Sequence, residues 1–164
     1  MEPYRARMRR FVILLLPLFL VACASRVTAH VVNVVDGDTI DVRMPGGSRE
    51  RVRIVGIDTP ETKDPRKPVQ CFGKEASDRM KEILLGNDVV LEKKPDENKD
   101  KYGRLLRYVS LNGEDVGASL IRDGYAFSYK VFPHPRLELY NALERKAEEE
   151  EAGLWGGDCQ YSGD

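Results

Sequence analysis

The stretch that decides the fold is DTIDVRMPGGSRERVRIVGID, from Asp38 to Asp58. It begins and ends in a carboxylate and turns once, at Pro45-Gly46-Gly47. Before the turn, DTIDVRM alternates polar and apolar residues. After it, RERVRIVGI returns as a second strand whose isoleucines and valines call for burial. In a hairpin the start of one strand lies beside the end of the next. Asp38, at the start of one strand, and Asp58, at the end of the other, therefore meet in space.

Outward from the hairpin, RVTAHVVNVVDG supplies β-branched residues for a preceding strand ending at Asp36-Gly37. Three consecutive strands with tight turns make a meander. On the other side, DTPETKDPRKPVQ is proline-rich and reads as an irregular surface loop. GKEASDRMKEILLG places Ala76, Met80, Ile83 and Leu84 on one helical face, with Gly86 as the stop. DVVLEKK reads as a fourth strand and GRLLRYVSLNG as a fifth, with the polar PDENKDKY between them. EDVGASLIRDG is a short helix with Val116, Leu120 and Ile121 inward. PRLELYNALERKAEEEEAGLW is a longer one, with Leu137, Tyr140, Leu143 and Ala147 inward and Pro135 near its start. The expectation is an α+β fold: a five-stranded OB-type β-barrel with three α-helices. Such barrels bind oligonucleotides with their loops and open face.

The chemistry gathers at the strand ends. Asp36, Asp38 and Asp41 form an acidic turn, but it is not an EF-hand. That loop needs glycine at its sixth position and glutamate at its twelfth, where this chain has Asp41 and Gly47. Asp38 and Asp58, with a backbone carbonyl and water, suit a hard cation, Ca²⁺. Glu61, beyond Pro60, is placed to accept a proton from an attacking water. Arg53 and Asp58 are an odd number of residues apart, which puts them on opposite faces of a regular strand. A bulge or twist at Gly56 is needed to bring them together. Arg104 enters from the fifth strand. A cation, a carboxylate and two guanidinium groups suit attack on a phosphodiester, because they stabilise charge building on the phosphoryl oxygens.

Four ordered motifs, VDGDT (Val35–Thr39), RIVGIDTPET (Arg53–Thr62), GKEAS (Gly73–Ser77) and DKYGRLLRYV (Asp100–Val109), resemble the staphylococcal nuclease (thermonuclease) family. The likeness runs from about Val31 to Trp155. It implies the same barrel with three helices and a calcium-dependent phosphodiesterase that leaves 3′-phosphate ends. Its substrate would be single-stranded or frayed DNA and RNA, and the protein a monomer. The resemblance assigns Asp38 and Asp58 as calcium carboxylates and Thr59 as the donor of a backbone carbonyl. Glu61 falls at the general base, and Arg53 and Arg104 at the phosphate-binding arginines. Lys101 and Tyr102 fall at the contacts to the terminal phosphate and nucleotide. Of the family's later tyrosine pair, AFSYKVF offers Tyr129, with Phe132 at the second position.

The N-terminus points to export. Arg5, Arg7, Arg9 and Arg10 precede FVILLLPLFLVA, Phe11 to Ala22. That apolar run falls short of the roughly 17–25 residues of a spanning helix and matches a signal peptide over 1–23. Two cleavage readings stand. LVAC, Leu20 to Cys23, resembles a lipobox that leaves an acylated Cys23 and a lipoprotein anchored to the membrane, facing the periplasm or cell exterior. Ala22-Cys23-Ala24 also satisfies ordinary signal peptidase, which would give a secreted protein. Either leaves one nuclease-like domain over 27–157 and a tail over 158–164. In an oxidising compartment, Cys71 and Cys159 suggest one bridge, the alternative being two free thiols. The chain has 26 basic and 27 acidic residues, so general electrostatic attraction to nucleic acid is absent. Any such binding must come from where the cations sit.

Overall fold

The structure is a computed structural model and describes residues 26–62, 70–157 and Cys159. The expected signal peptide, the lipidation site Cys23 and the tail apart from Cys159 lie outside the described residues. Strands β1 (Arg26–Val34), β2 (Thr39–Arg43) and β3 (Arg49–Ile54) form the antiparallel meander. A two-residue strand, β4 (Ile57–Asp58), follows, then helix α1 (Gly73–Leu84) and strands β5 (Asp88–Lys93) and β6 (Leu105–Leu111). The chain continues through β7 (Glu114–Asp115), α2 (Val116–Arg122), β8 (Phe127–Ser128) and α3 (Leu137–Glu149), and a 3₁₀ turn at Gly153–Trp155. The strand order is β3-β2-β1-β5-β6, and parallel pairing of β3 with β6 closes the five strands into a barrel. This is the OB-type α+β architecture read from the sequence.

Alternation explains the closure. Val31, Ile40, Val42, Val52, Ile54, Val89, Leu91 and Val109 are buried and fill the interior. Met80 and Leu84 of α1 join that core, as do Leu120 and Ile121 of α2 and Tyr140 of α3. Burying a side chain of this size stabilises by about 1.5–3 kcal/mol each. Leu137 and Leu143, expected inward on α3, are only half-buried. The fully covered positions are Tyr140, Glu144 and Ala147. Glu144 is buried because its carboxylate accepts from the Ser128 backbone N–H at 2.9 Å and pairs with Lys130 at 2.7 Å. It thereby holds β8 to α3.

One boundary differs from the sequence reading. Strand three does not run to Asp58 but stops at Ile54, and the chain turns at Val55-Gly56. Ile57 and Asp58 then pair with Ser128 and Phe127. The reason is Gly56, whose φ of +82° lies in the left-handed region; a Cβ there would meet His134 Cε1 at 2.5 Å. Of the two readings of the cysteines, the bridge is the one present: Cys71 and Cys159 are disulfide-bonded, with Cα atoms 5.7 Å apart. Among the described residues no helix is long and apolar enough to cross a membrane.

Candidate active site

The site is assembled from three chain turns. The first, between β1 and β2, is Asp36-Gly37-Asp38, where the Asp38 N–H donates to Asp36 Oδ1 at 3.1 Å. Gly37 is required by crowding, since a Cβ there would lie 2.7 Å from Thr59 Oγ1. Asp38 is buried, and the Thr39 hydroxyl donates to its Oδ1 at 2.8 Å. Thr59 reaches its Oδ2 with a hydroxyl at 3.4 Å.

The second turn, at Gly56, brings Asp58 back alongside Arg53. Arg53 faces Thr39 across the β2–β3 ladder. One of its terminal nitrogens lies 2.7 Å from Asp38 Oδ2, and the other donates to Asp58 Oδ1 at 2.9 Å. The first also donates to the Ile57 carbonyl at 2.9 Å. The odd spacing that opposed Arg53 to Asp58 is thus undone by the turn. The structure brings Asp38 and Asp58 to one guanidinium, but by the turn at Gly56 and the β4–β8 pairing rather than by the hairpin, which ends at Ile54.

The third turn carries Arg104, just before β6. Asp100 fixes it by accepting from the Arg104 backbone N–H at 2.9 Å and from Nε at 2.7 Å. Arg104 Nη1 donates to the Thr39 hydroxyl at 3.3 Å, so Thr39 links Arg104 to Asp38. Burial works against ionised Asp100, but hydrogen bonds from Arg104 and the Tyr102 N–H hold it below the usual carboxylate range. A cleft of about 560 Å³ opens here, lined by Arg53, Lys101, Tyr102, Arg104, Tyr129 and Phe132 among others. Tyr102 is exposed, with Lys101 Nζ 5.0 Å and Arg104 Cζ 5.5 Å from its ring centroid. Tyr129 and Phe132 lie with ring centroids 6.0 Å apart.

Burial pushes Asp38 up to about 7 against the pull of Arg53, with Asp36 and Asp58 adding to the rise. Burial also raises Asp58 against Arg53, with Glu61 and Asp36 adding; its half-exposed side chain limits that effect. Two carboxylates, Asp38 and Asp58, thus share the single guanidinium of Arg53. Its donors are hard oxygens, the kind that suits a divalent cation of the Ca²⁺ type. Among the described residues no three acidic, histidine or cysteine side chains form a metal cluster by themselves. Asp38 and Asp58 would thus need backbone oxygens or water to complete a coordination sphere.

Glu61 lies three residues beyond Asp58, and sequence reasoning missed the residue that holds its backbone. The Glu61 N–H donates to Gln70 Oε1 at 2.6 Å, and the Gln70 N–H donates back to the Glu61 carbonyl at 2.9 Å. Gln70 adjoins the disulfide at Cys71. Nothing in the sequence marks this pairing, because the two residues are nine apart and belong to no periodic element. Asp100 was also missed as the anchor of Arg104, although its position four residues ahead was visible.

The geometry agrees with comparison to known proteins. Residues 51–157 match the family model described as "Staphylococcal nuclease homologue". The thermonuclease of Staphylococcus hyicus is 38% identical over 133 residues, covering 80% of this chain and 78% of that protein. Endonuclease YncB of Bacillus subtilis is 37% identical over 125 residues, 75% of this chain and 59% of its own. The SPbeta prophage-derived endonuclease YokF of Bacillus subtilis is 39% identical over 125 residues, 75% of this chain but 42% of that protein. The chain thus spans about half the length of these two Bacillus relatives. With the barrel, the Asp38–Arg53–Asp58 triad and a family match over most of the described domain, the chain belongs to the staphylococcal nuclease homologue family.

Proposed function

We propose that the protein is a nuclease that hydrolyses phosphodiester bonds of DNA and RNA, with calcium as its cofactor and 3′-phosphate ends as products. The observation that carries this reading is Arg53, which lines the cleft while holding Asp38 and Asp58, with Arg104 joined to the same group through Thr39. Family membership and relatives named as thermonuclease and endonuclease support it. Asp38 and Asp58 would hold the calcium ion, assisted by Thr59 and water. When bound, that ion supplies positive charge against the phosphoryl oxygens.

The chain's own groups carry the rest. Arg53 and Arg104 bring guanidinium donors to the phosphate, where bidentate contacts gain strength as charge develops. Glu61 accepts a proton from the attacking water as its oxygen bonds to phosphorus. The bond from phosphorus to the 5′ oxygen breaks, and that oxygen takes a proton from solvent water and leaves as a hydroxyl. Lys101, Tyr102 and Tyr129 bind the adjoining phosphate and nucleotide. The support for export, with a lipid anchor at Cys23 or ordinary cleavage beside it, is the N-terminal sequence pattern alone.

Incubating the purified protein with single-stranded DNA, in calcium and in excess chelator, tests the reading. Calcium-dependent cleavage is expected, and end-group analysis should find 3′-phosphates. Arg104→Ala should lower turnover by about 10²–10³, the cost of removing one transition-state donor. Full activity in chelator would refute the cofactor, and an Arg104→Ala variant as fast as wild type would refute the constellation.

A further inference from the structure

We infer that the outer face of the β2–β3 hairpin binds the sugar-phosphate backbone of single-stranded nucleic acid beyond the cleft, through Arg49 and Arg43. This rests on the nuclease reading and extends it. Arg49, Arg51 and Arg53 alternate along β3 and so share one face, about 6.6 Å apart in succession. That step is comparable with one nucleotide of an extended strand. Arg53 is the residue of the candidate site, so the row leads directly away from the scissile position.

The neighbours in this row fall into two classes. Across the ladders, Arg51 faces Asp41, and Asp41 faces Asn33. These three satisfy one another, because Arg51 Nε donates to Asp41 Oδ1 at 2.7 Å and Asn33 donates to Oδ2 at 3.1 Å. One step further out, Arg49 faces Arg43 directly. Like charges opposed across two strands are destabilising, so packing gives no reason for this pair. Both side chains are exposed, and among the described residues neither has an ion-pair partner. The nearby acids are engaged by other cations: Asp41, which feels Arg49 only at longer range, by Arg51 at 2.7 Å, Glu50 by Lys99 at 3.3 Å and Asp88 by His30 at 2.8 Å. Two surplus cations therefore stand together on a chain with slightly more acidic than basic residues overall.

A second, shallower cleft of about 600 Å³ joins Arg49 to the site, with Arg43 beside Arg49 just outside its lining. It is lined by Arg49, Arg51 and Asn33 and by the acids Asp41 and Glu50, which pair with Arg51 and Lys99, and it shares Tyr102 and Arg104 with the first cleft. A strand leaving the candidate site past the exposed Tyr102 ring thus has a continuous path to Arg49. Stacking on such a ring and cations along the backbone are the means by which single strands are held without sequence preference. The same continuity favours nucleic acid over an anionic membrane, which would need no connection to the cleft.

The test compares wild type with Arg43→Glu/Arg49→Glu and with the neutral Arg43→Gln/Arg49→Gln, on oligothymidylates of four and twenty nucleotides. Cleavage of the tetramer should stay within about twofold, while kcat/KM for the twenty-mer falls about tenfold or more with the Glu pair and less with the Gln pair. The slope of log affinity for the twenty-mer against log salt should shrink by about 1.4, or 0.7 for each phosphate no longer neutralised. Equal decreases on both lengths, or none on either, would overturn the inference. So would unchanged twenty-mer cleavage with abolished binding to phosphatidylglycerol vesicles, which would assign the pair to a membrane. If wild type cleaves neither oligonucleotide, the nuclease reading fails. Fluorescence anisotropy with the twenty-mer then decides the arginine pair separately.

Discussion

Arg53 contacts both aspartates and draws each carboxyl back toward its ionised form against the effect of burial. Glu61 is held differently, through its main chain: Gln70 bonds both its N–H and its carbonyl, and those bonds survive a change of side chain. Glu61→Gln should therefore cut kcat by about 10²–10⁴, the usual worth of a general base, with melting temperature little changed. Loss of fold and activity together would reassign Glu61 to a structural role. Asp38 gives a pH test. Its carboxyl is pushed up to about 7 in the folded protein, against about 3.9 unfolded, so folding favours the protonated form. That contribution is complete below about pH 4 and is lost as pH rises to 7. In chelator, wild type should lose melting temperature relative to Asp38→Asn across that window. Asp41 and Asp100, both shifted downward, are common to the two proteins and cancel, so the difference reports Asp38 together with its interaction with Asp58, whose carboxyl is also raised. Parallel melting curves from pH 4 to 7 would contradict the burial argument.

At the scale of elements, the decisive feature is a break in a strand. Val52 and Ile54 belong to the barrel, whereas Ile57 and Asp58 belong to a separate ladder with β8. Gly56 makes the switch. Gly56→Ala would force a side chain into left-handed backbone and against His134 and Tyr140, whose atoms would lie 2.5–2.9 Å from the new Cβ. A loss of more than about 1 kcal/mol is expected from the backbone strain alone. Activity should fall further than stability, because the turn sets Arg53 against Asp58. A Gly56→Ala variant with wild-type denaturation midpoint and turnover would show that the turn is not needed. The five strands, three helices and the burial of Ala76, Met80 and Leu84 were legible from periodicity. The break at Gly56 was foreseen only as a requirement, since period-two alternation says which faces conflict and not how the chain resolves it.

For the whole molecule, the C-terminal tail is joined to the middle of the domain by chemistry the barrel does not supply. Cys71 precedes α1 and Cys159 follows the 3₁₀ turn, which is held by buried Leu154 and by the edge contact of Trp155 with Phe127 at 5.5 Å. Phe127 in turn faces Asp58 across β8 and β4. With a separation of 88 residues between the cysteines, the bridge should stabilise by up to about 4 kcal/mol through the entropy of the unfolded chain. Cys159→Ser, or wild type in reductant, should lower the urea midpoint accordingly. An unchanged midpoint would mean that the bridge adds nothing in solution.

By itself the sequence determined the barrel and the helices, because hydrophobic period and hairpin connectivity are local rules that act over a few residues. The hairpin ends at Ile54, so the turn at Gly56 and not the hairpin delivers Asp58 to Asp38. It also named Arg53, Glu61 and Arg104 through the order of four motifs. Only the tertiary structure decided that Arg53 sits between the aspartates, that Gln70 holds the Glu61 backbone, and that Arg43 opposes Arg49 beside the cleft. Those relations depend on one left-handed glycine, on the contact of Gln70 with Glu61 and on strand register. Such contacts are made between segments distant in sequence and leave no periodic trace in it.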